Sequence, residues 1–307
     1  MREHTTYCGF IAIVGRPNVG KSTILNQLIK QKISITSRKP HTTRHEIVGI
    51  KSEGVYQAIY IDTPGLCIEE KNTINRFMNR VIKNSITNAR LVIFIIEGIN
   101  WTIADTTIMH YLKDKSLVLL VLNKIDLITN KSLLLPHLQW LSRKRHFVDI
   151  VPISAKIGTN IDTISSIVYK YLPQSEYYFP EKCITNRSQK FMASEIIREK
   201  IIRYLGGELP YAATVEIEQF IVNKHGRLII CGVILVHSAS HKKIVIGYNG
   251  AKIKSIGVAA RHNMETIFRQ KVYLELWVKI ISSERDYKDI VPNIEYKNII
   301  PLQKYLD

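Results

Sequence analysis

The sequence has few cysteines, no long apolar run and too few acids to balance its bases. Cys8, Cys67, Cys183 and Cys231 are its four cysteines, widely spaced and without a CxxC pair, so they indicate neither a disulfide framework nor a zinc site and read as reduced thiols. No apolar stretch approaches the roughly 18 residues that span a bilayer, and MREHTTYCGF lacks the hydrophobic centre of a secretion signal. A cytoplasmic protein is therefore expected. Asp and Glu number 26 against 43 Lys and Arg, leaving a net charge of +17. Such a shortage of acid favours a polyanionic partner, nucleic acid first and an acidic membrane surface second. The excess is spread over both halves, which keeps charge alone from choosing between them.

At 307 residues and 46% hydrophobic content, the chain has material for two packed domains. The first is organised around Gly15, Arg16, Pro17, Asn18, Val19, Gly20, Lys21, Ser22 and Thr23, between the apolar run Phe10 to Val14 and the helical spacing of ILNQLIK. A strand, a glycine-bounded loop and a helix in that order cradle phosphate. Backbone N–H groups and the helix start face the anion, Lys21 adds a point charge and the Ser22 hydroxyl is placed to ligate Mg²⁺.

A polar segment follows, holding Thr42 and Thr43, and then two strands, EIVGIK and VYQAIYI. In a nucleotide switch a threonine of such a loop completes Mg²⁺ coordination while the γ-phosphate holds the loop in place. Strand VYQAIYI ends in Asp62, Thr63, Pro64 and Gly65: a carboxylate for the metal shell and an N–H for the γ-phosphate. Leu66 comes next, where related switches carry a water-orienting glutamine. A leucine cannot hydrogen-bond water, so slow intrinsic hydrolysis is expected.

LVIFII and LVLLVL read as buried parallel strands. The second ends in Asn123, Lys124, Ile125 and Asp126, and the Asp126 carboxylate is suited to accept from the ring N–H and exocyclic amine of guanine. A further strand, VDIVPI, ends in Ser154, Ala155 and Lys156, with the Ala155 N–H expected to meet the guanine carbonyl. Domain boundaries follow from composition: a nucleotide domain over 1–173, an aperiodic linker with Pro180 over 174–188, and a second domain over 189–307.

In the second domain Gln189 to Leu205 has helical spacing ended by Gly206-Gly207, TVEIEQFIV and RLIICGVILV read as strands, and VYLELWVKII as a third. Ahead of an amphipathic helix stands a GxxG loop, Gly247-Tyr248-Asn249-Gly250. Such a loop brings backbone against a sugar-phosphate chain, with Lys252 and Lys254 as phosphate contacts and Ile246, Ile253 and Ile256 beside an apolar groove for bases. Lys242 and Lys243 are further backbone contacts. The setting VIGxxGxxIxxI is strong evidence for a KH module.

The ordered set GRPNVGKS, DTPG, NKID and SAK resembles the translation-factor class of P-loop GTPases. This implies an α/β fold, a doubly wound and mostly parallel sheet binding GTP or GDP with Mg²⁺, followed by a small α+β KH domain. Asn18 fits a subgroup whose cradle asparagine helps to hold K⁺. The stretches YCGFIAIVGRPNVGKST, ISITSRK, TTRH, QAIYIDTPGL, DIVPISA, RSQKFMASEIIREK and ELWVK are similar to the Era family. That resemblance implies a monomeric GTPase switch that recognises the 3′ end of 16S ribosomal RNA, acts in maturation of the 30S subunit and associates weakly with the inner face of the cell membrane. Lys156, the Tyr248-Asn249 pair and above all the tail after Lys279 depart from the family pattern.

Overall fold

The computed structural model describes residues 5–37, 46–65, 82–112, 117–206, 209 and 213–281. The chain forms two compact units that divide between Asn186 and Arg187.

The first unit is built on β1 (Tyr7–Val14), β2 (Ile47–Glu53), β3 (Tyr56–Asp62), β4 (Leu91–Glu97), β5 (Val118–Asn123) and β6 (Asp149–Pro152). Their spatial order is β2-β3-β1-β4-β5-β6, parallel except for β2 against β3. β4 and β5 are apolar almost throughout because both faces are covered. One face, with Val14, Val92, Phe94 and Leu120, packs on α2 (Ile103–Tyr111) and α3 (Leu134–Ser142) through Ile108 and Leu141. Across the sheet, α1 (Lys21–Ile29) and α4 (Ile161–Tyr171) pack on each other and on β3. α4 turns Ile161, Ile164, Ile167 and Val168 inward at helical spacing.

Register places Ile13 beside Asp62 and Glu97 beside Asn123. The carboxyl ends of β1, β3, β4 and β5 therefore meet at one edge, the crevice where open α/β sheets bind ligands.

The segment expected as a linker over 174–188 is tied to this unit through residue 185. Gln174 bridges Tyr7, Ser175 N–H donates to the Thr6 carbonyl at 3.0 Å, and Thr185 bridges Gly49. The Gln57 side chain holds both backbone groups of Phe179, accepting from its N–H at 3.0 Å and donating to its carbonyl at 2.8 Å. The cause is local: a buried glutamine on β3 needs partners, and an aperiodic strand-like segment supplies them.

The second unit comprises α5 (Gln189–Tyr204), β7 (Thr214–Val222), β8 (Leu228–Val236), α6 (Ala239–Ile246), α7 (Ala251–Phe268) and β9 (Val272–Ile280). Ser188 caps α5 by accepting from Phe191 N–H, and Leu205 is its C-cap, with Gly206 directly after it. β7 pairs antiparallel with β8, and β8 parallel with β9. A parallel pair needs a crossover, and α6 and α7 provide it. The apolar segment before the GxxG loop, KKIVI, is thus the end of a helix. Ile196, Ile197 and Ile201 of α5 meet Ile256, Ala260 and Met264 of α7 in the core over Ile230 and Ile234 of β8.

Candidate nucleotide pocket and RNA-facing turn

The loop after β1 is shaped by close approaches. Gly20 has φ of 103°, and a Cβ there would lie 2.3 Å from Asn123 Nδ2. Gly20 is also the N-cap of α1 and makes no side-chain cap hydrogen bond, and the positive end of the helix dipole lies at this loop. Val19 is buried and anchors the loop, while Asn18, in the left-handed conformation, is exposed. The Lys21 ammonium is buried and donates to the carbonyls of Gly15 at 3.0 Å and Arg16 at 3.1 Å. These bonds keep it inside the loop, where the β- and γ-phosphates of a nucleotide belong.

At the end of β3, Asp62 is fully buried. Its Oδ2 accepts from the Ser22 hydroxyl at 2.6 Å and the Ser34 hydroxyl at 3.1 Å, whereas its Oδ1 has no hydrogen-bond partner among the described residues. Burial raises the Asp62 pKa against the opposing pull of Lys21, Ser22 and Ser34. An orphaned carboxylate oxygen beside a serine hydroxyl at the phosphate loop fits a hard divalent cation, and Mg²⁺ is the natural occupant. Ser34 is itself placed by Asn26 of α1, whose Oδ1 accepts from the N–H groups of Ile33 and Ser34. Thr63, expected among the nucleotide contacts, donates its hydroxyl to the Ile13 carbonyl at 2.8 Å and ties β3 to β1. Pro64 is buried, and Gly65 lies against Pro17, where an added Cβ would come within 2.8 Å of the proline ring. Thr42, Thr43 and Leu66 lie outside the described residues.

The guanine side is held by Asn123. Its Nδ2 donates to the Val19 carbonyl at 2.8 Å and its Oδ1 accepts from Ala155 N–H at 2.9 Å, joining the phosphate loop to the loop after β6. The Ala155 N–H expected to meet the guanine carbonyl thus already serves Asn123. Gln27 of α1 reaches the same loop, donating to the Ala155 carbonyl at 2.8 Å. Ser154 donates its hydroxyl to Asp126 Oδ1 at 2.5 Å and orients the carboxylate. Lys124, with φ of 66°, turns its ammonium to Glu97 Oε1 at 3.0 Å, and Lys156 is exposed at the rim.

Arg16, expected among the nucleotide contacts, has its side chain in an ion pair. Its guanidinium sits 3.5 Å from Glu97 and 3.4 Å from Asp105, the residue that also closes the capping box of α2 with Thr102. Glu97 and Asp105 escaped the sequence reading. The TxxD signature of a capping box was visible, but its second use as an arginine anchor was not.

In the second unit Gly247 ends α6 with φ of 74°, and a Cβ there would lie 2.9 Å from the Lys252 side chain. Gly250 begins α7, again without a side-chain cap, and faces open space. Tyr248 is 87% exposed, Asn249 is left-handed, and Lys252 and Lys254 are exposed. Ile246 and Ile253 are partly buried against the core and line the turn, but Ile256 is fully buried and cannot touch a base. Its i+3 spacing from Ile253 turned it one step further inward than expected.

A family model described as a 50S ribosome-binding GTPase matches residues 10–124, and a KH domain model matches residues 208–285. The GTPase Era of Yersinia enterocolitica is 59% identical over 292 residues, covering 95% of this chain and 96% of that protein. Among solved structures, an Aquifex aeolicus Era variant bound to GDP and AlF4⁻ superposes with a TM-score of 0.88 at 36% identity, over 95% of this chain and 99% of that one. An Era solved with MgGDPNP and nucleotides 1506–1542 of 16S ribosomal RNA superposes with a TM-score of 0.87 at the same identity and coverage. With its phosphate loop, guanine-side loops and GxxG turn matched along nearly its full length, the chain belongs to the Era family of GTPases.

Proposed function

We propose that this GTPase is a switch whose nucleotide state sets the RNA affinity of its KH unit, that its RNA is the 3′ end of 16S ribosomal RNA, and that it acts in assembly of the 30S subunit. The observation that carries the RNA part is the GxxG turn: a glycine facing open space between two helices, flanked by exposed Lys252 and Lys254. The choice of target follows the related Era that was solved with nucleotides 1506–1542 of 16S ribosomal RNA. The nucleotide part rests on the buried set Lys21, Asp62, Asn123 and Ser154.

Mg²⁺, when bound, neutralises charge developing between the β- and γ-phosphoryl oxygens. Ser22 and Asp62 would hold it, and Thr42 or Thr43 would add a hydroxyl oxygen. Lys21 stabilises the phosphate charge, the Gly65 N–H meets the γ-phosphate, and Asp126 selects guanine. Leu66 gives the attacking water no partner, which makes intrinsic hydrolysis slow; Asn18 would let K⁺ supply the missing charge. Equal rates in K⁺ and Na⁺ buffers, with Asn18→Ala as control, would remove the potassium part.

The basic surface also supports weak, peripheral attachment to the cytoplasmic face of the membrane, and no described helix is long and apolar enough to cross one. The chain is taken to act as a monomer in the cytoplasm. Crosslinking to cellular RNA followed by sequencing tests the target. Reads concentrated at the 3′ terminus of 16S RNA are expected, and a catch dominated by transfer RNA would overturn it.

A further inference from the structure

From Leu127 to Phe147 the chain contains no Asp or Glu, yet it carries Lys131, Arg143, Lys144, Arg145, His137 and His146. In the structure this stretch is a short 3-10 turn, α3 and the basic turn that follows α3. Trp140 on α3 is 42% exposed, and its neighbours make it a shelf. Trp101 meets it edge-on with centroids 5.8 Å apart, His137 lies against it at 5.4 Å and 24°, and Phe94 of the core backs Trp101. Lys144 Nζ lies 4.0 Å from the Trp140 centroid and 5.3 Å from that of Trp101. Burial lowers the His137 pKa, and its Nε2 makes no hydrogen bond among the described residues.

We infer that this shelf is a second contact for single-stranded RNA, on the nucleotide-binding unit itself. It rests on the RNA-binding reading above and extends it from one contact to two. A base stacks on Trp140 by taking the face now covered by Lys144, and the released ammonium, with Arg143, meets the adjoining phosphates. Base–indole stacking is stronger than an exposed cation–π contact, so the exchange is favourable. The acid-free stretch 127–147 favours a polyanion over an apolar protein segment, for which the charge would be wasted.

The test is photocrosslinking of the full-length protein to a 4-thiouridine-containing oligoribonucleotide, with peptide mapping and titration. Crosslinks are expected at residues 137–146 as well as 247–254, and the first set should persist in the Gly247→Asp, Gly250→Asp double variant. Trp140→Ala should weaken binding about tenfold while Trp140→Phe restores most of it. Arg143→Ala with Lys144→Ala should reduce the salt slope by about 1.4, the release expected of two single-strand phosphate contacts. Because both cations are exposed, this pair still decides the matter if Trp140→Ala fails to fold. Crosslinks confined to 247–254 with unchanged slope would overturn the inference and leave the RNA-binding reading intact. Loss of 30S protein capture, or of flotation with phosphatidylglycerol vesicles, at unchanged RNA affinity would overturn it in favour of protein or lipid. No RNA binding by the unmodified protein would sink both.

Discussion

In the nucleotide pocket the side chains that carry specificity are buried or already bonded to a neighbour: Lys21 to loop carbonyls, Asp62 to two serines, Asn123 to two loops, Asp126 to Ser154. At the GxxG turn the groups proposed to meet RNA are backbone, and the side chains around them, Tyr248, Lys252 and Lys254, stand in solvent. The first arrangement is preorganised and selects one ligand, because a wrong base leaves buried polar groups unpaired. The second, in its proposed role, would accept many conformations of a flexible polymer and gain affinity from several weak phosphate contacts. Single side-chain changes should therefore be severe in the first region and mild in the second, where only the backbone is intolerant.

The largest break is expected at Asp126. Asp126→Ala should abolish most of a guanine-over-adenine preference of order 10⁴, read by competition of GTP and ATP for one labelled nucleotide. Lys21→Ala should reduce phosphate release by roughly 10²- to 10³-fold, the effect of removing one preorganised charge from the transition state. In the second region the Gly247→Asp, Gly250→Asp double variant should weaken RNA binding roughly tenfold or more in a gel shift. A single Lys252→Ala should cost only about threefold, since one exposed phosphate contact among several is lost. A single lysine substitution as damaging as the glycine pair would contradict the contrast.

The smallest expected effect concerns Asp62. Burial raises its pKa in the folded protein, so between the ordinary carboxylate value and that raised value the native state binds more protons than the unfolded chain. Stability without metal then falls as pH rises through this window and levels off above it. Mg²⁺ with GDP relieves the buried charge, so the rise in melting temperature that Mg²⁺ produces should be greater at pH 8 than at pH 5. Equal rises would mean that Asp62 does not face the metal.

Much of this was legible because phosphate loops, strand ends and GxxG turns are local in sequence, each motif carrying its own geometry. The contacts that join motifs were not. Asn123 reaches Val19 and Ala155, and Arg16 reaches Glu97 and Asp105, across spans that no periodicity records. The segment 174–188 reads as linker because it lacks helical or alternating pattern, yet Gln57, Tyr7 of β1 and Gly49 of β2 hold it through residue 185. Ile256 shows the reverse error, a residue assigned to a surface by proximity to the GxxG loop while its helical phase turned it into the core.

The most direct test of the central claim is the affinity of the full-length protein for the 3′-terminal fragment of 16S RNA, measured once with GDP and once with a non-hydrolysable GTP analogue. A difference of about tenfold, matched by an equal shift in nucleotide affinity when RNA is present, is the expected result, since coupling between two sites is reciprocal. Identical RNA affinity in the two nucleotide states would contradict it.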